Sequence, residues 1–136
     1  DEAGAAAFHE ALGLRATLLF DLAPGEYHAN VVMSVLAGRA LVVAPSGFAD
    51  PAVPAELAAL YGPAVVELSP AQKQAFAGNC IALCGDRVRV SQAGADALVP
   101  AQREVLAAAG FSLAPVPLDE IEKAGGSLRC CVAEIY

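Results

Sequence analysis

Asn79-Cys80-Ile81-Ala82-Leu83-Cys84-Gly85-Asp86-Arg87-Val88-Arg89-Val90-Ser91 is the stretch whose pattern decides the fold. Two strand-forming runs, 79–84 and 87–91, meet at Gly85-Asp86, a dipeptide suited to a hairpin turn. A helical stretch follows over 93–109. Pro100 kinks or breaks it, because proline lacks the N–H and clashes with the preceding turn. Residues 111–116 then read as a strand. Strand, strand, helix, strand makes one ββαβ unit over 79–116. The same order stands about 49 residues earlier. There, 28–36 and 39–44 read as strands around Ala37-Gly38, prolines open a helix over 53–61, and 64–68 is a strand. This closes a unit over 28–68. Ser69 caps a short helix over 70–76, with Pro70 in the favoured first position. A short helix over 118–123 ends at Gly125-Gly126. Residues 128–135 read as a strand that opens a partial third unit, 126–136. Ahead of the first unit, 3–12 is a helix with Gly13 as its C-cap, and 15–20 is a short apolar strand. Such units cannot bury their faces alone and pack round a shared centre. Corresponding positions then converge, and His28, Asn79 and Cys130 stand near corresponding strand starts.

With 136 residues, 57% hydrophobic and 17% charged, the chain reads as a single folded domain over 1–136. Its net charge is −7. Lys and Arg do not cluster, and Phe and Tyr do not interleave with them, so no nucleic-acid partner is expected. Charges and prolines interrupt every apolar run before the roughly 18 residues of a membrane span. Asp1-Glu2-Ala3-Gly4 lacks the basic region of a signal peptide, and no initiator Met precedes it. A processed chain, a cloned fragment or a piece of a longer chain is therefore expected. The four cysteines, two of them adjacent, do not form a disulfide pattern and point to a reducing, cytoplasmic compartment.

Cys130 follows Gly125-Gly126-Ser127-Leu128-Arg129 inside a strand, and His28 opens one. Where a thiol and an imidazole meet, the imidazole helps form the thiolate and the thiolate attacks. Each residue also has a plainer reading: a buried, inert cysteine and a hydrogen-bonded structural histidine. Gly125 and Gly126 allow a tight backbone beside Cys130. No phosphate-binding glycine pattern accompanies them. Cys80 and Cys84 form C-x3-C on a strand, where period two puts both on one face. No second ligand pair stands at a fitting distance, so core packing is expected for both, and no metal site. His9 on the first helix reads as solvated.

Tyr27-His28-Ala29-Asn30-Val31-Val32-Met33, Phe76-Ala77-Gly78-Asn79, and Gly125-Gly126-Ser127-Leu128-Arg129-Cys130 through Ala133-Glu134-Ile135 resemble the guanidine-modifying superfamily. It comprises arginine deiminases, dimethylarginine dimethylaminohydrolases and amidinotransferases, and the likeness is nearest to the arginine-deiminase-related branch. It runs over nearly the whole chain in the right order. The resemblance implies an α/β fold of pentein type, a five-bladed propeller of ββαβ units, here about half of the ring. It implies that Cys130 attacks a guanidinium carbon, that amine leaves, and that water hydrolyses a covalent thiouronium intermediate to give citrulline. His28 would be the general acid and base, and no metal or organic cofactor is needed. Arginine deiminases carry an aspartate two residues after this histidine. Here that position is Asn30, a candidate substrate contact, which argues against strict arginine deiminase activity. Cys131 beside Cys130 matches a pair found in dimethylarginine hydrolases. Asp21, Glu26, Asp50 and Glu67 are candidate guanidinium ligands, since a carboxylate pairs bidentately with that cation. Asp21 stands out because it closes a strand one loop before His28. Asn79, at the position corresponding to Asn30, is a further candidate for substrate binding.

Superfamily members are about twice this length, and their first half supplies acidic residues that grip the guanidinium. A closed five-bladed ring cannot be built from two and a half units. The expectation is therefore the C-terminal half of a larger enzyme, or a homo-oligomer whose exposed strand edges pair. The expected function is hydrolysis of a small guanidine substrate, arginine or an N-substituted arginine. Two readings stay open beside it: a non-catalytic half-propeller that self-associates or awaits a partner half, and an amidinotransferase.

Overall fold

The structure is a computed structural model that describes residues 1–133. Asp1 starts the first helix, α1 (Glu2–Leu12): its carboxylate accepts from the Gly4 N–H at 2.7 Å. Gly13, left-handed at φ 58°, ends it, as its place in the sequence predicts. The helix buries none of its residues, and Phe8 and Leu12 are exposed. Residues 15–20 do not form the expected strand. Leu18 and Leu19 are exposed, and the first sheet-like contact is an isolated bridge between Leu22 and Phe48. A strand exists only by pairing, and none of the described strands pairs with this run.

Where one continuous strand over 28–36 is expected, Ala29–Val32 turns as a short helix, α2, before β1 (Met33–Leu36) begins. Long-range bonding explains the difference. The Asn30 carbonyl accepts from the Asn79 side-chain amide at 2.7 Å, while the Val31 N–H bonds back to His28 O at 3.1 Å. Both groups are thereby taken out of any ladder. Ala37 and Gly38, with φ of 48° and 68°, then turn the chain into β2 (Ala40–Val43). Two successive positive φ angles match the twist of an antiparallel hairpin. Met33 pairs with Val43 and Leu36 with Ala40. A crossover through α3 (Ala52–Tyr61) brings β3 (Val65–Glu67) parallel to β2, Leu41 opposite Val65.

Ser69 and Gln72 cap α4 (Pro70–Gln74) reciprocally, at 3.3 and 2.9 Å, and the pattern repeats. β4 (Ile81–Cys84) pairs antiparallel with β5 (Arg87–Ser91). Pro100 does break the following helix, into α5 (Gln92–Ala97) and α6 (Pro100–Ala108). β6 (Ser112–Val116) returns parallel to β5. A last helical turn, α7 (Asp119–Glu122), leads to the glycines. The result is a mixed α/β fold of two three-stranded sheets with the same strand order.

Leu36, Val42, Val66 and Leu68 of the first unit share one buried cluster with Val88, Val90, Leu106 and Phe111 of the second. Each such side chain contributes about 1.5–3 kcal/mol by leaving water. Neither sheet closes this cluster alone. At the seam the Ser34 hydroxyl donates to Gly78 O at 2.7 Å, inside the protein. Val32, Leu41, Val43 and Phe48 form a smaller cluster under α3.

Two further expectations fail. Cys80 and Cys84 do not share a face. The register shifts between Ala82 and Cys84, so Cys80 is buried and Cys84 exposed. Leu128–Cys131 is a 3-10 turn, not strand, because Asn79 Oδ1 accepts the Arg129 N–H at 2.9 Å and holds the backbone inward. Glu134 and Ile135, the end of that expected strand, lie outside the described residues.

Gly78 marks the seam most tightly. A Cβ there would stand 2.8 Å from the Val31 carbonyl oxygen, backbone that cannot swing away. Gly78→Ala should lower stability by about 1–3 kcal/mol in urea unfolding. Gly85→Ala, which meets nothing within 4 Å, should leave the midpoint almost unchanged.

Candidate active site

Phe76, left-handed at φ 59° although not a glycine, bends the chain so that the Asn79 N–H bonds to Phe76 O at 2.9 Å. Asn79 is then wholly buried, and its amide reaches both α2 and the 128–131 turn. Nδ2 donates to Asn30 O at 2.7 Å and to Cys130 Sγ at 3.3 Å. Oδ1 accepts from the Arg129 N–H at 2.9 Å. The Cys130 thiol also lies 3.8 Å from Asn30 Oδ1, within reach as a weak donor. Cys130 is nevertheless exposed, so its sulfur is anchored behind and open in front.

What it faces is a cleft of about 370 Å³ lined by Tyr27, His28, Ala124, Gly125, Gly126 and Cys130. The fold thus brings His28 and Cys130, roughly 100 residues apart, to one cavity. His28 ends the extended segment before α2, at φ −141° and ψ 135°. Its ring lies 4.8 Å from that of Tyr27, whose hydroxyl donates to Gly125 O. Tyr27 thereby ties the histidine loop to the glycine turn. No site role for Tyr27 is expected from the sequence; its signals there are adjacency to His28 and its place at the head of the Tyr27–Met33 motif. Gly126 gives the close backbone beside Cys130 that the sequence predicts. A Cβ there would lie 3.7 Å from Cys130 Sγ and cover one side of it.

The remaining candidates fall elsewhere. Asn30 and Arg129 line a larger cleft of about 560 Å³ with Phe20, Met33, Ser34 and Cys80 among its walls. Asp21 lines a separate pocket with Asp1, Glu2, Leu19 and Phe20. Glu26 is taken by an ion pair with Lys73. Asp50 accepts the Ala52 N–H at 2.8 Å at the start of α3. The Glu67 carbonyl accepts from Gln102 Nε2 at 2.6 Å. Among the described residues, no carboxylate lines the cleft of Cys130, and no cluster of three or more His, Cys, Asp or Glu is placed to hold a metal ion. His9, read as solvated, is only partly exposed and bonds through Nδ1 to the Thr17 hydroxyl at 2.8 Å. Cys80 differs from Cys130 in kind. Burial pushes its thiol up from 9.0 to about 12, with hydrogen bonds from Ser34 and its own backbone acting the other way.

A family model described as N,N dimethylarginine dimethylhydrolase, eukaryotic, matches residues 1–136. The N(G),N(G)-dimethylarginine dimethylaminohydrolase of Mycobacterium tuberculosis is 33% identical over 125 residues, which is 92% of this chain and 39% of the relative. The chain therefore spans about two fifths of the length of the curated relative it matches. Among solved structures, the substrate-bound N-terminal domain of ArgZ, a cyanobacterial arginine dihydrolase, superposes with a TM-score of 0.78 at 21% identity, covering 95% of this chain and 45% of that one. The same domain covalently bound to a reaction intermediate gives 0.79 at 22%, over 96% and 46%. SxtG, an amidinotransferase from Microseira wollei, gives 0.66 at 16%, over 96% and 37%. At these identities the solved structures establish likeness of fold.

Cys80 sets a pH dependence. The folded chain keeps the Cys80 proton to about pH 12, whereas the unfolded chain releases it from about pH 9. Between these values the unfolded state binds fewer protons, so stability falls as pH rises, by up to about 1.4 kcal/mol per pH unit from this group. Urea unfolding under reducing conditions from pH 8 to 11 should therefore show a steeper loss for the wild type than for Cys80→Val.

Proposed function

Because the chain belongs to the N,N-dimethylarginine dimethylhydrolase family, within the guanidine-modifying superfamily, we propose that it carries the nucleophile and the acid–base group of a guanidine hydrolase. The single observation behind this reading is that Cys130 and His28 line one cleft, with the Cys130 sulfur anchored from behind. Cys130 is the nucleophile. Its thiolate bonds to the guanidinium carbon of arginine or an N-substituted arginine, and the C–N bond to the departing amine breaks. His28 delivers the proton that the amine takes away. The same ring then accepts a proton from water as it attacks the thiouronium carbon, and the C–S bond breaks. Citrulline leaves and the thiolate returns. An amine in place of that water gives the amidinotransferase variant of the chemistry.

Asn30 offers its amide beside the sulfur, without the charge of a carboxylate. Asp21 is proposed as a guanidinium contact of the assembled enzyme on its chemistry alone, since here it lines a separate pocket and not this cleft. The cleft needs a carboxylate against the substrate cation, and the described residues place none there. We therefore read residues 1–136 as about half of a propeller. Units 28–68 and 79–116 are complete and a third opens at 126, and the rest of the ring comes from further polypeptide or a second copy. The exposed Phe8, Leu12, Leu14, Leu18 and Leu19 support that reading, because a run this apolar is normally covered. The same observation favours the second reading, a half-propeller that is inert until its partner half docks. No helix of the described residues is long and apolar enough to cross a membrane. A cytoplasmic location remains part of the proposal.

Mass spectrometry after brief treatment with 2-chloroacetamidine tests the assignment. A single adduct that disappears in Cys130→Ser is the expected result. No adduct, or equal labelling of Cys84 and Cys131, would move the reading to the inert half. In the assembled enzyme, His28→Asn should lower kcat by about 10²–10⁴-fold.

A further inference from the structure

We propose that Asn79 is the positioning residue of the nucleophile: its side-chain N–H aims the Cys130 sulfur into the cleft and steadies the thiolate. This rests on the reading of Cys130 as nucleophile given above.

The orientation of the Asn79 amide is dictated by its neighbours. Its oxygen meets the Arg129 N–H at 2.9 Å, a group that only donates. Its nitrogen meets the Asn30 carbonyl at 2.7 Å, a group that only accepts. Turning the amide over would set donor against donor and acceptor against acceptor, so the assignment of oxygen and nitrogen is fixed by chemistry. Of the two hydrogens on Nδ2, one goes to Asn30 O, and the other is left for Cys130 Sγ at 3.3 Å. The sulfur thus faces an N–H in every allowed state of the side chain. Asn79 is wholly buried, with both amide hydrogens and its oxygen engaged by the chain itself. Its part in the site runs through Cys130.

A donor of this kind favours the charged form of sulfur over the neutral one. The thiol proton has its own direction, toward Asn30 Oδ1 at 3.8 Å. When that proton leaves, the Asn79 N–H is already in place, so no group has to reorganise to meet the charge. Burial keeps water from competing for the bond. The bonds to Asn30 O and to the Arg129 N–H span 49 and 50 residues respectively, so the same side chain holds both walls around the sulfur in register.

Asn79→Asp tests this, because it keeps an oxygen for the Arg129 N–H and turns the group facing sulfur into an acceptor. The first readout is the rate of Cys130 alkylation by iodoacetamide, followed by mass spectrometry against pH in the same chain. A drop of about 10- to 100-fold near neutral pH is expected, with the rate recovering at higher pH. In the assembled enzyme kcat should fall with KM nearly constant. A merely structural asparagine would leave the pH profile of alkylation in place. Unchanged rate and profile in a folded Asn79→Asp would overturn the proposal.

A second measurement needs no Asn79 variant and covers the case in which that variant does not fold. In the wild type, the assigned Asn79 side-chain ¹⁵N–¹H signals should shift as Cys130 is titrated, and should stay fixed over the same range in Cys130→Ala. Signals that ignore the titration would overturn the proposal. Failure of the catalytic reading looks different. Cys130 would then accept no 2-chloroacetamidine, while the Asn79 signals still followed the thiol.

Discussion

The Asn79 amide is the constraint on which the rest of the structure depends. One buried side chain satisfies the Asn30 carbonyl of α2, the Arg129 N–H of the 128–131 turn and the sulfur of Cys130. A buried amide with any of these missing would carry an uncompensated polar group, at a cost of about 1–3 kcal/mol. The three segments are therefore placed together or not at all. The strained Phe76 backbone and the crowded Gly78 follow from this, since both shape the short turn that delivers Asn79 to the centre.

Around that polar point the two sheets supply the apolar frame. Each ββαβ unit gives one face to the shared cluster of Leu36, Val42 and Val66 with Val88, Val90 and Leu106, which joins them. Gln72 and Gln102 bond to each other across α4 and α6 at 2.7 Å, and Gln102 also reaches the Glu67 carbonyl of β3. The seam is thus satisfied in its polar groups as well as its apolar ones.

The candidate site is complete in one respect and open in another. Thiol, imidazole and a supporting amide stand together, while the described residues bring no carboxylate to the cleft. A cation such as guanidinium binds poorly without an opposite charge where water is excluded. In the proposed enzyme, anionic groups of further polypeptide would supply that charge. The uncovered apolar residues at the start of the chain fit the same picture of a surface meant to be packed against.

Local signals in the sequence were enough for the order of elements. Gly13, the Ser69 cap, the Ala37-Gly38 turn and Pro100 act through neighbours a few residues away, so they are legible without a fold. The repeat and the motifs around His28 and Cys130 were legible for the same reason: they are patterns along the chain. Tertiary structure alone decided that 29–32 and 128–131 curl instead of extending, because a side chain 49 or 50 residues away claims their backbone groups. It also decided, through one register shift, that Cys80 is buried while Cys84 is not, and that 15–20 finds no partner among the described strands. That His28 and Cys130 open on one cleft belongs to the same class. Periodicity reports which groups need partners, and only the folded chain determines which partners they find.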